Sequence, residues 1–213
     1  MKLNGTDISD YGLYLLTMPP VVKAQKRVRH IVIPGRNGHL TRWDGDYESY
    51  TKEPELYCSG SDLPAALEAL RNATQIEFDN DAGFVYDVSA DEIIEASVEG
   101  GKWYRINARY TTQPLKRLAT EESLTGATVV LENTGNEPCK PRIEITATGT
   151  VTVNDITVTG VTGTLVIDNH LGLVYDGAGN AFGRMTGNLF EVATSLTITA
   201  NGTMTVYPNQ RWI

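Results

Sequence analysis

Two charge clusters in the first quarter of the chain are the residues most able to do chemistry. Lys23, Lys26, Arg27 and Arg29 form a basic run, and Asp44, Asp46, Glu48, Glu53 and Glu55 an acidic one. The acidic spacing invites a test as a calcium loop: Asp44, Asp46 and Glu48 fall at positions 1, 3 and 5 of a twelve-residue loop, and Glu55 at position 12. Position 6 is Ser49, where the sharp turn requires glycine. Pro54 sits at position 11, and no helical pattern precedes. The segment therefore reads as a solvated acidic loop, and Asp79 and Asp81 before Gly83 read the same way.

Other chemistries find less support. The three histidines, His30, His39 and His170, have no metal-ligand spacing, and no metal site is expected. Cys58 and Cys139 lack any CxxC context and read as reduced, partly buried thiols. There is no GxSxG, HExxH, Walker GxxxxGK[ST] or helix-opening GxGxxG. Gly177, Gly179, Gly183 and Gly187 lack a following lysine and read as loop glycines. A carboxylate pair for glycoside hydrolysis is defined by spatial separation, and nothing in the sequence argues for one. The Asn-x-Thr sequons at Asn4, Asn72 and Asn201 carry no implication without an export signal. No catalytic residue, no cofactor and no enzymatic activity are expected.

The composition agrees. The chain has 213 residues, 18 Lys+Arg against 26 Asp+Glu, a net charge of −8 and 41% hydrophobic residues. It is too apolar for disorder, too poor in cysteine for a disulfide scaffold, and too acidic to hold nucleic acid across its surface. No apolar run reaches the roughly 18–20 residues of a membrane helix, and the first residues lack the apolar core of a signal peptide.

The elements that would position these residues differ between two parts. Residues 1–117 carry 14 basic and 17 acidic groups, residues 118–213 only 4 and 9. The second part is rich in Thr, Val and Gly. A domain boundary is placed between them, around Gln113-Pro114 to Thr125-Gly126. In residues 118–213, Ile143, Ile145, Val151, Val153, Ile156, Val158, Leu165, Ile167, Leu196, Ile198, Met204 and Val206 alternate with polar residues, mostly Thr. That period predicts five to seven short antiparallel strands in a β-sandwich. Asn154-Asp155, Gly160–Gly163, Asp168–Gly172 and Asn201-Gly202 are the expected turns, the last as a type I′ hairpin. In residues 1–117 one helix is expected over Asp62–Asn72, capped by Ser61 or Asp62, with Pro64 in its first turn and an apolar stripe of Leu63, Ala66, Leu67 and Leu70. Strands are expected at Val28–Ile33, His39–Trp43, Gln75–Phe78, Phe84–Val88 and Trp103–Tyr110, with turns at Asn37-Gly38, Asp79–Gly83 and Gly100-Gly101. The fold class is mainly β with one helix.

The order of these signals resembles the distal tail proteins of long-tailed, siphophage-type bacteriophages and prophages. The resemblance rests on Asn4-Gly5-Thr6-Asp7-Ile8-Ser9-Asp10-Tyr11-Gly12-Leu13 and on Ile31-Val32-Ile33-Pro34-Gly35-Arg36-Asn37-Gly38-His39-Leu40. It continues through the leucine-striped helix and Trp103-Tyr104-Arg105-Ile106-Asn107-Ala108-Arg109-Tyr110. In the second part it rests on Asn133-Thr134-Gly135, Pro141-Arg142-Ile143, Leu165-Val166-Ile167-Asp168, Val174-Tyr175, Gly187-Asn188-Leu189-Phe190 and Val206-Tyr207-Pro208-Asn209-Gln210-Arg211-Trp212. Phe190-Glu191 departs from the family's usual Phe-Pro, and the long insertion that carries a carbohydrate-binding module in some members is absent.

The resemblance implies an N-terminal belt domain, residues 1–117, and a C-terminal galectin-like antiparallel β-sandwich, residues 118–213. It implies a structural virion protein of the tail tip or baseplate, assembled in the host cytoplasm. There a hexameric ring would join the tail tube to the tail-associated hub, next to the tape-measure protein, with no membrane and no specific nucleic-acid partner. Six copies would carry about −48, a lumen that repels passing DNA. Lys23, Lys26, Arg27, Arg29, Ile31, Ile33, Asp44, Asp46 and Glu48 are the ring-interface candidates, because an open strand edge between complementary charges is a natural place for a neighbour. The alternative is a carbohydrate-binding β-sandwich for a host cell-wall glycan, suggested by the Thr-rich strand faces. A glycan hydrolase is the third reading.

Overall fold

The computed structural model describes residues 1–213, the side chains of Asp91, Glu92 and Ile93 excepted. It divides into two units, Met1–Ala119 with Ile213, and Thr120–Trp212. The first contains β1 (Lys2–Leu3), β2 (Thr6–Asp7), β3 (Leu13–Thr17), β4 (Lys26–Val32), β5 (His39–Tyr47), β6 (Tyr50–Lys52), β7 (Glu55–Ser59), α1 (Leu63–Arg71), β8 (Gln75–Glu77), β9 (Phe84–Gly100), β10 (Trp103–Thr112) and β11 (Arg117–Leu118). The second contains β12 (Leu124–Glu132), β13 (Arg142–Val153), β14 (Ile156–Asp168), β15 (Leu173–Asp176), β16 (Gly179–Asn180), β17 (Met185–Thr186) and β18 (Ser195–Tyr207). The fold is mainly β with one α-helix.

In the first unit the antiparallel strands run β2-β1-β8-β9-β10-β7-β3, with β11 beside β9 and β6 beside β10. The expected strand Phe84–Val88 is the start of a much longer β9. The β9–β10 register shifts between Ala108 and Tyr110, which pair with Ile94 and Ala90. The extra residues bend the strand, so its first half pairs with β8 and its second half only with β10. The curled sheet wraps a core of Leu3, Leu13, Leu56, Cys58, Ile76, Phe78, Tyr86, Ile106 and Tyr110. From α1, Ala66 and Leu70 are fully buried while Leu63 and Leu67 are half-buried, and the buried Tyr110 hydroxyl donates to Leu70 O at 2.9 Å. Asp62 stands at the N-cap, but its carboxylate accepts from Ser59 Oγ at 2.6 Å instead of capping the helix.

One end of this core is ionic. Lys52, 2% exposed, donates to Pro20 O at 3.0 Å and lies 4.5 Å from the Tyr86 ring centre. Asp81 accepts from Lys116 at 2.5 Å and from the Tyr86 hydroxyl, and Lys116 packs 4.1 Å over the Phe84 ring. Burial lowers the Lys52 pKa and raises that of Tyr50 to about 12. Burial also works against the Asp81 carboxylate, but the hydrogen bonds from Lys116 and Tyr86 outweigh it and hold the group below its ordinary value.

The second unit is a seven-stranded antiparallel sheet, β12-β18-β13-β14-β15-β16 with β17 beside β14. Its three central strands are long, not short, and two expected turns lie inside them. Gly160–Gly163 lies within β14. Between Gly149↔Val161 and Val151↔Val158 the β14 side has one more residue, and Gly160 takes φ +64°. This bulge switches the buried set from Ile156 and Val158 to Val161, Leu165 and Ile167, so the strand turns a corner and keeps its apolar residues inward. Asn201-Gly202 lies within β18, and neither residue takes a positive φ. The Asn201 amide instead accepts from Thr152 N at 3.1 Å and donates to Thr150 O at 3.0 Å, filling the gap where the β13–β18 register jumps from Ile145 to Val153. The tight turn is at Asn154-Asp155, where Asn154 takes φ +49° between the paired Val153 and Ile156. The bends close the sheet over one core that includes Ile143, Ile145, Val153, Val158, Leu165, Ile167, Ile198, Met204 and Val206.

The corner at Gly160 is held from outside the strand. Arg184 donates to Thr159 O at 3.1 Å, to Gly160 O and to Asp176 at 3.0 Å, and Asp176 also accepts from Thr162 N and Ala178 N, each at 3.0 Å. Burial disfavours the charged Asp176, but these donors outweigh it and its pKa is lowered.

Two stability predictions follow from the cores. Ile143→Ala costs about 2–5 kcal/mol by urea denaturation, and Tyr110→Phe about 1 kcal/mol. Because Asp81 and Asp176 have lowered pKa values in the folded state, their contributions are complete above the unfolded carboxylate pKa and fade as pH falls through the folded values. The melting-temperature deficits of Asp81→Asn and Asp176→Asn are therefore largest at neutral pH and shrink below about pH 4; a deficit constant across pH would refute this assignment.

Candidate functional site

β4 and β5 form a hairpin that, among the described residues, pairs with no third strand. The turn contains Gly35 at φ +81° and Gly38 at φ +82°, conformations that suit glycine, and Arg36 N closes onto Ile33 O at 3.1 Å. Val28↔Trp43, His30↔Thr41 and Val32↔His39 pair on one face, and Arg29↔Arg42 and Ile31↔Leu40 on the other. All of β4 and nearly all of β5 are exposed, Val32 at 76%. An isolated two-stranded ribbon is marginal in water, and it leaves backbone donors and acceptors open along both edges.

The structure places the candidates on this hairpin or beside it. Opposite Arg27, β5 carries a wide bulge, Asp44-Gly45-Asp46, with Gly45 at φ +95°. The bulge brings both carboxylates to β4: Arg29 Nε donates to Asp44 and Arg27 Nη1 to Asp46, each at 2.6 Å. The complement that the charge clusters called for thus lies within the hairpin itself. Lys26 caps the Trp43 ring at 4.3 Å, and Trp43 Nε1 donates to Asp46 O at 3.0 Å. Ile31 and Ile33 are exposed at the far end, Lys23 is exposed just before β4, and Glu48 follows β5, its N–H bonded to Gln25 O. Glu53 and Glu55 lie apart from this group, Glu55 on β7 beside Arg105 and Glu53 beside Arg109.

Val28, Val32 and Trp43 on one face and Leu40 beside Ile31 on the other are also exposed and were missed among the sequence candidates, although Val28 and Val32 lie on the same predicted open strand as Ile31. Exposed ion pairs such as Arg27–Asp46 are worth about 0–1 kcal/mol, so they set register more than they hold the ribbon down. His30 and His39 stack edge to face at 4.2 Å, and among the described residues no group of three His, Cys, Asp or Glu could hold a metal ion. Cys58 and Cys139 are buried and unbridged, and burial pushes the Cys139 thiol up to about 11. No helix of the described residues is long and apolar enough to cross a membrane.

No protein-family model matches the chain, and no curated protein matches it by sequence. Among solved structures, the crystal structure of the SPP1 Dit protein, titled a paradigm of the hub adsorption apparatus in Gram-positive infecting phages, matches with TM-score 0.70. The match covers 99% of this chain and 98% of that one, at 14% identity. The chain has the distal tail protein fold. At 14% identity the likeness shows the fold alone, carried by packing more than by shared residues.

Within this distal tail fold, several segments that carried the sequence resemblance touch one another. Asn133 donates to Glu137 O, Val192 O and Ala193 O and accepts from Gly135 N. A Cβ on Gly135 would lie 2.3 Å from Arg211 O. Thr134 bonds Gln210 at 2.6 Å, so Asn133-Thr134-Gly135 locks the closing Pro208–Arg211 segment. Asn169 ties Pro141 O to Phe190 N.

In limited trypsin digestion of the isolated chain, the first cuts are expected in the hairpin, at Arg36 or Arg42, before any at Arg71 of α1. Mass spectrometry of the earliest fragments checks this; first cleavage in α1 would show that the hairpin is not the least protected element.

Proposed function

We propose that the chain is a structural, non-enzymatic component of a phage tail tip, and that copies of it join into a hexameric ring between the tail tube and the tail-associated hub. The distal tail fold over 99% of the chain carries the reading. The β4–β5 hairpin supports the ring: it exposes Val28, Val32 and Trp43 on one face, Ile31 and Leu40 on the other, and two open edges, which neighbouring copies would cover. Lys23, Lys26, Arg27, Arg29, Ile31, Ile33, Asp44, Asp46 and Glu48 remain the interface candidates, now with the hairpin's ion pairs holding its shape and its apolar residues and edges supplying the contact. The net charge of −8 per copy suits a channel through which DNA passes without sticking. In this reading residues 1–117 form the ring and residues 118–213, a galectin-like sandwich, face the partners.

Light scattering coupled to size exclusion is expected to give a hexamer mass at high protein concentration, and negative-stain images to show rings. Ile31→Glu combined with Val32→Glu abolishes the rings while changing unfolding free energy by no more than about 0.5 kcal/mol, since both positions are exposed. A monomer at every concentration with no affinity for tail-tube or hub protein would refute the proposal.

A further inference from the structure

The outward face of β3, β7 and β10 differs from an ordinary solvated sheet. Tyr14, Tyr57 and Trp103 gather at one end, Tyr14 and Trp103 59% and 49% exposed. The Tyr14 and Trp103 rings stand 6.4 Å apart at 65°, and with Glu99 and Gly100 they border a shallow, open depression of about 450 Å³. A second cavity of about 470 Å³ lies on residues of the same three strands and of β9, bordered by Thr17, Glu55, Asn107 and Arg109. Arg105 joins them, bonded to Glu55 at 3.0 Å and to Glu99 at 3.5 Å. Glu99 also accepts from the Tyr57 hydroxyl, and Glu55 from Thr17 Oγ1 at 2.9 Å. The polar groups are thus held in place before any ligand arrives, which lowers the ordering cost of binding. Both volumes fall within the range of small-ligand sites, about 300–1,000 Å³.

The chemistry selects the ligand. Aromatic walls offer apolar faces to C–H groups, and the fixed carboxylates and Asn107 offer acceptors and donors at the rim. A pyranose has that pattern, an apolar ring face with hydroxyls around its edge. A quaternary ammonium would need aromatic faces closed around it, whereas the Tyr14 and Trp103 rings stand edge to face and leave the site open. An acidic sugar would meet Glu53, Glu55, Glu95 and Glu99 against only Arg105 and Arg109. We propose that this face binds a neutral oligosaccharide, with Trp103 and Tyr14 as the stacking platform and Glu99 and Asn107 as hydrogen-bond partners. This places sugar binding on the first unit's sheet and not on the Thr-rich strands of the second, and it does not depend on ring formation.

The test uses the full chain against an array of neutral and acidic bacterial glycans, followed by isothermal titration calorimetry with maltotriose, cellotriose and chitotriose. Tetramethylammonium is titrated in parallel. Saturable binding of a neutral oligosaccharide is expected, weakened at least about tenfold, the size of one lost favourable contact, by Trp103→Ala and by Glu99→Gln, and unchanged by Thr125→Ala. If Trp103→Ala loses its far-ultraviolet circular dichroism, Glu99→Gln, exposed and outside the core, carries the comparison. Three results overturn the proposal: no array signal and no saturation at about 10 mM sugar, binding that both variants leave intact, or preference for acidic glycans or tetramethylammonium.

Discussion

A β-strand carries a row of donors and acceptors along each edge, and a buried strand must have both rows paired. In the second unit β13, β14 and β18 meet that demand by bending without breaking. The bulge at Gly160 turns β14 while its core face stays inward, and Arg184, anchored on Asp176, takes up the carbonyls that the bulge frees. Asn201 does the same for β13 with its side-chain amide. In the first unit β9 bends at Ala90–Ile94 and serves two sets of neighbours. Among the described residues the β4–β5 ribbon has no third strand and leaves both of its outer edges open, and the proposed ring contact is built there.

Charge follows the same division. Where ionic groups are buried they are held within their own unit, as in the Lys52–Asp81–Tyr86–Lys116 cluster and the Asp176–Arg184 corner. Several exposed ones pair across strands, as in Arg27–Asp46, Arg29–Asp44 and Arg105–Glu55. Trp43 and Trp103 both stand half-exposed on strands that carry such pairs, β5 and β10.

Much of this was legible in the residues. The period-2 runs marked most of the core of the second unit, the stripe Leu63–Leu70 marked α1, and Asn37-Gly38 and Gly100-Gly101 marked real turns. The failures share a cause. Asn154-Asp155 and Asn201-Gly202 are equally good turn dipeptides, yet only the first turns the chain, because Asn201 finds Thr150 and Thr152 on a strand about fifty residues away. Asp62 is a fair capping residue whose carboxylate is claimed by Ser59. The acidic run from Asp44 to Glu55 looked like one cluster, but it divides between two strands with different arginine partners.

By itself the sequence determined the class of structure, mainly β with one helix, the inward residues of most strands, and the scarcity of reactive groups. Those are local properties, set by alternation, turn chemistry and composition. Where strands bend, which charges pair, and how Tyr14, Tyr57 and Trp103 come to share one face were decided only by the tertiary structure. These depend on register between segments tens of residues apart, and register is fixed by the simultaneous pairing of whole strands, not by any short run of residues.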